Sequence, residues 1–202
     1  MIRNSLVILI ILCAVGLMAQ TPQTMIQNSY TYESTGDYVT AIELMHKLTQ
    51  MDKSDAFYQL RLGWLYYSSG QYTQAELYYN ASLQLEKTRE SMEGLLNSAY
   101  AMGNWDKTIS YAQQILKNNP NHFSALTILA YGQFIKKNFK DSANSYLKAV
   151  KLYPYNLEIL GYLLSAQVNS DDKLGAEITY KKLKRYAPQN QYVLEYENSG
   201  KK

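Results

Sequence analysis

The sequence predicts an all-α fold: a solenoid of about five stacked helical hairpins closed by a short C-terminal capping helix. Three observations carry this prediction. Pro120, Pro154 and Pro188 lie 34 and 34 residues apart, and a fixed period of that size is the mark of stacked repeat units. The segments ending at these prolines, YAQQILKNNP, SYLKAVKLYP and TYKKLKRYAP, each carry an apolar stripe at helical spacing. A short turn recurs upstream: TGDY at 35–38, SGQY at 69–72, GNW at 103–105, KNF at 137–139 and DDKL at 171–174. An aromatic residue follows the turn in four cases (Tyr38, Tyr72, Trp105, Phe139), and Leu174 stands there in the fifth.

The chain has 202 residues, long enough to bury a sizeable core. At 47% hydrophobic and 18% charged it is not a disordered chain. A formal net charge of +3 is too small for a nucleic-acid binder that works by bulk electrostatics. Tyrosine is in surplus, at 20 residues.

The elements follow in chain order. In residues 1–19, Arg3 precedes an apolar run from Leu6 to Met18, and small Ala19 follows before Gln20. This is the layout of a secretory signal peptide, and 13 apolar residues fall short of the ~20 that a spanning helix needs. Leu17 fits poorly at the small-residue position before the cut, so an uncleaved anchor is the alternative. Leu12 precedes the lone cysteine, Cys13, which argues against lipidation. Cleavage after Ala19 leaves a mature chain with no cysteine, hence no disulfide, thiol nucleophile or thiolate metal site.

From residue 20 to 198 the repeats take over. The pattern resembles the tetratricopeptide repeat, a 34-residue helix–turn–helix unit. Its small second-helix position holds Ala41, Ala75 and Ala176, with Thr108 and Ser142 in the other two units. The large residue four later is Met45, Tyr79, Ala112, Tyr146 or Tyr180, and the Leu-Gly pair of the first helix is intact only as Leu62-Gly63. The register gives five units, starting near Pro22, Ala56, Arg89, Phe123 and Leu157. The resemblance implies a right-handed α-solenoid, and a hairpin that cannot bury its own stripe requires the neighbour it stacks on.

Gly36, Gly70 and Gly103 sit where first helices end and can take the left-handed conformation. Lys137 and Asp171 occupy that site in units four and five; either the following Asn138 or Asp172 takes the conformation instead, or the turn is differently shaped. Asn121 and Asn156 are ready N-caps. Residues 190–198 read as the capping helix, with an Asn190 cap and apolar Val193 and Leu194, and 199–202 as a frayed tail.

No catalytic chemistry is legible. His46 and His122 fall on separate units, and the acidic pair Asp171-Asp172 belongs to a turn. There is no phosphate loop, HExxH, GxSxG or CxxC. The expectation is a non-enzyme without cofactor or metal.

In the tetratricopeptide family the first helix of each unit lines a concave groove through its second, fifth, ninth, twelfth and thirteenth positions. On this chain the resemblance places Tyr30, Trp64, Asn97, Tyr131 and Ser165 at the ninth, and Glu33, Tyr67, Tyr100, Phe134 and Val168 at the twelfth. Phe57 and Leu60 add to unit two. The rings either pack between adjacent first helices or form an amphipathic platform for a peptide or a sugar. Members that clamp a C-terminal carboxylate use lysines and asparagines at these positions. Here unit one offers Gln23, Ile26, Tyr30 and Ser34, and unit three offers Glu90, Glu93, Asn97 and Ala101, which argues against that mode.

Charge is uneven, −3 over residues 20–121 and +5 over 122–202. The basic run Lys181, Lys182, Lys184 and Arg185 reads either as a solvated face or as a patch for an acidic surface such as anionic lipid. The resulting expectation is an exported, bacterial, periplasmic or envelope scaffold holding a protein or peptide partner. A glycan-binding module and a membrane-associated assembly factor are the rivals.

Overall fold

The computed structural model describes residues 21–199; residues 1–20, where the sequence is expected to carry a signal peptide, and residues 200–202 lie outside them. Within the described residues the chain is helical throughout, as five hairpins and a final helix. The hairpins are α1 (Pro22–Ser34) with α2 (Tyr38–Met51), α3 (Ala56–Ser68) with α4 (Tyr72–Leu85), and α5 (Arg89–Ala101) with α6 (Trp105–Asn118). They continue as α7 (Phe123–Ile135) with α8 (Phe139–Leu152), and α9 (Leu157–Asn169) with α10 (Lys173–Tyr186). The final helix is α11 (Gln191–Ser199). None of these helices is long and apolar enough to cross a membrane.

The five hairpin turns share one geometry. In each, a backbone N–H donates five residues back: Asp37 to Tyr32, Gln71 to Tyr66, Asn104 to Ala99, Asn138 to Gln133 and Asp172 to Gln167. That closure requires a left-handed residue just before the donor. Gly36, Gly70 and Gly103 supply it in the first three turns, with φ of 80°, 79° and 66°. In the last two it is Lys137 (61°) and Asp171 (58°) themselves that take it, while Asn138 and Asp172 have ordinary negative φ. Neither sequence alternative for these turns holds, because the hydrogen bond fixes the turn shape and leaves the site to whichever residue stands there.

A second correction concerns a cap. Asn156 caps α9 as expected, but α7 is capped by His122 and not by Asn121. The Ala125 N–H donates to His122 Nδ1 at 3.2 Å, so the ring proton resides on Nε2, which donates to Glu93 at 2.7 Å. The prolines follow the C-caps Asn119, Tyr153 and Ala187, whose backbones have left the helical region as a residue before proline must.

The seams between hairpins are tightly closed. The small second-helix positions Ala41, Ala75, Thr108, Ser142 and Ala176 are all buried. The two hydroxyls there are satisfied by backbone carbonyls: Thr108 donates to Asn104 O at 2.8 Å and Ser142 to Ala130 O at 2.7 Å. At the C-terminal end α11 lays Val193, fully buried, onto the last hairpin, with the Tyr196 ring 4.7 Å from that of Tyr180. Leu194, expected to share this contact, stays exposed, since one residue on turns it about 100° around the helix. Ser199, the first residue of the expected tail, is the last residue of α11, and residues 200–202 of that tail lie outside the described residues.

In the N-terminal seam His46 accepts from or donates to Tyr66 Oη at 2.8 Å and lies edge-on to Tyr66 and Tyr78, which stack on each other. Burial holds the imidazole below its ordinary value of 6.5. Folded His46 therefore binds fewer protons than the unfolded chain between that lowered value and 6.5. Its contribution to stability is present above 6.5 and lost as pH falls through the folded value. Thermal melts are expected to give a lower Tm at pH 5 than at pH 7, with a smaller difference in His46→Gln. An unchanged difference in the variant would assign the pH dependence elsewhere.

Candidate functional site

Two cavities open on the face built by the first helices. One, of about 450 Å³, lies among α1, α3 and α5. The other, of about 420 Å³, lies among α5, α7 and α9.

Tyr79, reaching across from α4, lines the first cavity from below and is only 3% exposed. Its ring needs the absence of two side chains: a Cβ at Gly63 would fall 2.7 Å from it and one at Gly94 2.4 Å. Burial pushes the Tyr79 phenol well above its ordinary value. Phe57 and Trp64, from α3, stand 40% and 46% exposed at the cavity. Trp64 is oriented by Glu33 at the end of α1, whose carboxylate accepts from the indole N–H at 2.5 Å and also pairs with Arg61. The Arg61 guanidinium lies 3.9 Å from the Tyr30 ring centroid and is 5% exposed, and its Nε–H has no acceptor. Glu90, Glu93 and Asn97 of α5 complete the lining.

The second cavity is built of phenols. Tyr100 and Tyr131 meet edge to face at 5.8 Å, and both meet Trp105, at 5.9 and 5.6 Å. Tyr146 and Tyr162 line it as well. Tyr162 donates to Glu158 at 2.9 Å, and that bond together with burial pushes its phenol up to about 12.

The eight groove residues expected from the sequence therefore divide into three groups. Tyr30, Phe57, Trp64 and Asn97 come together at the first cavity, and Tyr100 and Tyr131 at the second. Tyr67 and Phe134 line neither; they pack on the rings that follow the turns, Tyr72 at 5.5 Å and Phe134's partner Phe139 at 5.2 Å. Register alone missed Arg61, which is not at a groove position, and Trp105, which had been assigned to the turn. Glu33 was placed on the groove, but its role as anchor of Trp64 and Arg61 was not visible, because both partners lie a full unit away.

The basic run on α10 is largely paired within the fold. Lys181 meets Glu177 at 3.1 Å and Lys184 meets Glu197 at 2.6 Å, with Tyr180 Oη 3.0 Å from the Lys184 ammonium. Lys182 lies 5.3 Å from the Tyr155 ring centroid and Arg185 5.6 Å from that of Tyr186. Among the described residues no group of three or more His, Cys, Asp and Glu side chains could hold a metal ion.

Comparison with known families bears on the repeats. Tetratricopeptide-repeat models match residues 58–89 and 94–156. These two segments carry tetratricopeptide repeats. Helices α3 to α8 hold the matched segments, and α1, α2, α9 and α10 repeat the same hairpin with the same turn. No curated protein matches the sequence.

Solved tetratricopeptide structures resemble it along most of its length. YrrB, described as a TPR protein with an unusual peptide-binding site, superposes with a TM-score of 0.76 at 13% identity, over 92% of this chain and 96% of that one. A tetratricopeptide repeat protein from Parabacteroides merdae gives 0.75 at 16%, over 88% and 71%. MamA from Desulfovibrio magneticus gives 0.74 at 15%, over 86% and 99%. These likenesses establish a shared fold, and tetratricopeptide proteins as a class are scaffolds for protein–protein contact.

Proposed function

We propose that this protein is a non-catalytic scaffold of the cell envelope that holds a segment of a partner protein along the face of its first helices. The observation that carries the reading is the first cavity. Phe57 and Trp64 present large apolar surface to solvent there, and Tyr79, Gly63 and Gly94 support them from below. Exposed rings on a rigid base are the kind of anchor that supplies most of the energy of a protein interface. The N-terminal Arg3, apolar Leu6–Met18 and Ala19 support export.

Trp64→Ala tests the reading. Trp64 is half-exposed, so its loss is expected to move Tm by no more than about 3 °C. Capture of a partner from an envelope extract by the tagged protein is expected to fall at least about tenfold. Unchanged capture would remove the first cavity from the binding surface, and capture lost only in step with folding would make the ring part of the scaffold. Tyr131→Ala is a useful contrast, because Tyr131 touches both Tyr100 and Trp105 and its removal loosens the fold as well.

A further inference from the structure

We propose that the cavity among α1, α3 and α5 takes the guanidinium or ammonium group of an arginine or lysine side chain presented by a partner polypeptide. The inference rests on the reading of the first-helix face as the binding surface and names the chemistry of its occupant.

Charge decides the sign of the ligand. Arg61 is the one cation lining this cavity, and Glu33 already matches it inside the wall. What remains facing the space are the carboxylates of Glu90 and Glu93, 59% and 31% exposed at their side chains, beside the Asn97 amide; one oxygen of Glu93 accepts from His122 Nε2 at 2.7 Å, and the neutral imidazole leaves its negative charge in place. An anionic group would meet two carboxylates here and no unmatched cation. Arg89, which lies outside the lining, reaches Glu93 at 3.4 Å and Glu90 at 3.9 Å, but it is 68% exposed and gives up such a surface pairing at little cost.

The rings point the same way. Phe57 and Trp64 stand exposed within a space that already holds one guanidinium against a ring, Arg61 on Tyr30. A second cation over the free faces gains the same attraction, and most where water is partly excluded. At about 450 Å³ the cavity has room for a long basic side chain and the backbone bearing it.

The choice of a polypeptide over a free cation follows from the proposed function, in which this face holds a segment of a partner protein.

The test uses the full chain, labelled with nitrogen-15, and follows the indole N–H resonance of Trp64, assigned by its loss in Trp64→Phe. The probes are N-acetyl-arginine N-methylamide and its citrulline counterpart, which keeps the shape and removes the charge. The arginine compound is expected to shift the Trp64 signal saturably, with the citrulline compound binding about tenfold more weakly. Glu90→Gln/Glu93→Gln is expected to abolish the difference; should it melt early, Glu90→Gln alone, at an exposed side chain, is expected to narrow it. Equal binding of both compounds, or no saturable shift with arginine, overturns the proposal. Partner capture separates this from the broader reading. Capture that depends on Trp64 without any arginine preference leaves the groove standing and removes the cation, whereas arginine binding with capture indifferent to Trp64 does the reverse.

Discussion

Tyr79→Ala is expected to destabilise the protein by about 3–5 kcal/mol, the cost of emptying a buried aromatic site, as read from the midpoint of urea unfolding. The ring is 3% exposed and packs against backbone on two sides, at Gly63 of α3 and Gly94 of α5. Those helices belong to consecutive hairpins, so one side chain from α4 closes the seam between units two and three. Backbone walls collapse poorly, which places the cost at the upper end of the range. The converse substitution is equally diagnostic. Gly94→Ala puts a methyl 2.4 Å from the ring and is expected to cost about 1–3 kcal/mol by overpacking. In the Tyr79→Ala background the methyl meets a void, so the cost of Gly94→Ala there should fall toward zero. A full cost for Gly94→Ala in both backgrounds would mean that the wedge is not what holds the seam. Because a solenoid is stabilised by nearest-neighbour contacts, hydrogen exchange in Tyr79→Ala should rise first in α4 and α5.

The fold was legible because its determinants repeat. Pro120, Pro154 and Pro188 cannot continue a helix, and each stands just past the end of one, so the period of the prolines is the period of the hairpins. What escaped the sequence was decided by backbone geometry or by tertiary contact. Lys137 carries no mark of a left-handed residue, and Asp171 only the weak one that its short polar side chain gives. The bonds from Asn138 to Gln133 and from Asp172 to Gln167 impose it on them. His122 reads as a poorer cap than Asn121 until Glu93, 29 residues earlier, is seen holding its other nitrogen.

The candidate site was legible in position and not in partnership. Register placed Tyr30, Trp64 and Asn97 on one face, and they do line one cavity. It also placed Tyr67 and Phe134 there, yet each has a ring of its own hairpin within about 5.5 Å and packs on it. In these two units the twelfth-position ring lies next to the turn and packs on the aromatic that follows it, whereas Tyr100, at the same position, meets Trp105 and still lines the second cavity. Where unit one carries Glu33 at that position, no ring is available for Tyr38, and the carboxylate instead reaches forward to Arg61 and Trp64.

That forward reach makes Glu33→Ala the second large effect. Arg61 is 5% exposed and Glu33 20%, so removing the carboxylate leaves a buried guanidinium without its anion, at an expected cost of about 2–4 kcal/mol. Replacing both partners with apolar residues, Glu33→Leu with Arg61→Met, removes the stranded charge along with the pair and is expected to recover most of that loss. A double-mutant cycle by chemical denaturation measures the coupling, and additive losses would show that the pair contributes nothing of its own. The two outcomes for stability do not have to match those for binding. Glu33 also fixes the Trp64 indole, and the apolar double variant loses that anchor although its charges are gone. A variant that regains stability while Trp64 fluorescence reports a freer, more solvated indole, and partner capture stays low, would separate the two tasks of Glu33. Neutralising Arg61 would then belong to the scaffold, and holding Trp64 over the cavity to recognition. If capture recovers together with stability, the indole is placed by its packing on Tyr67 alone, 6.3 Å away, and the carboxylate serves the fold.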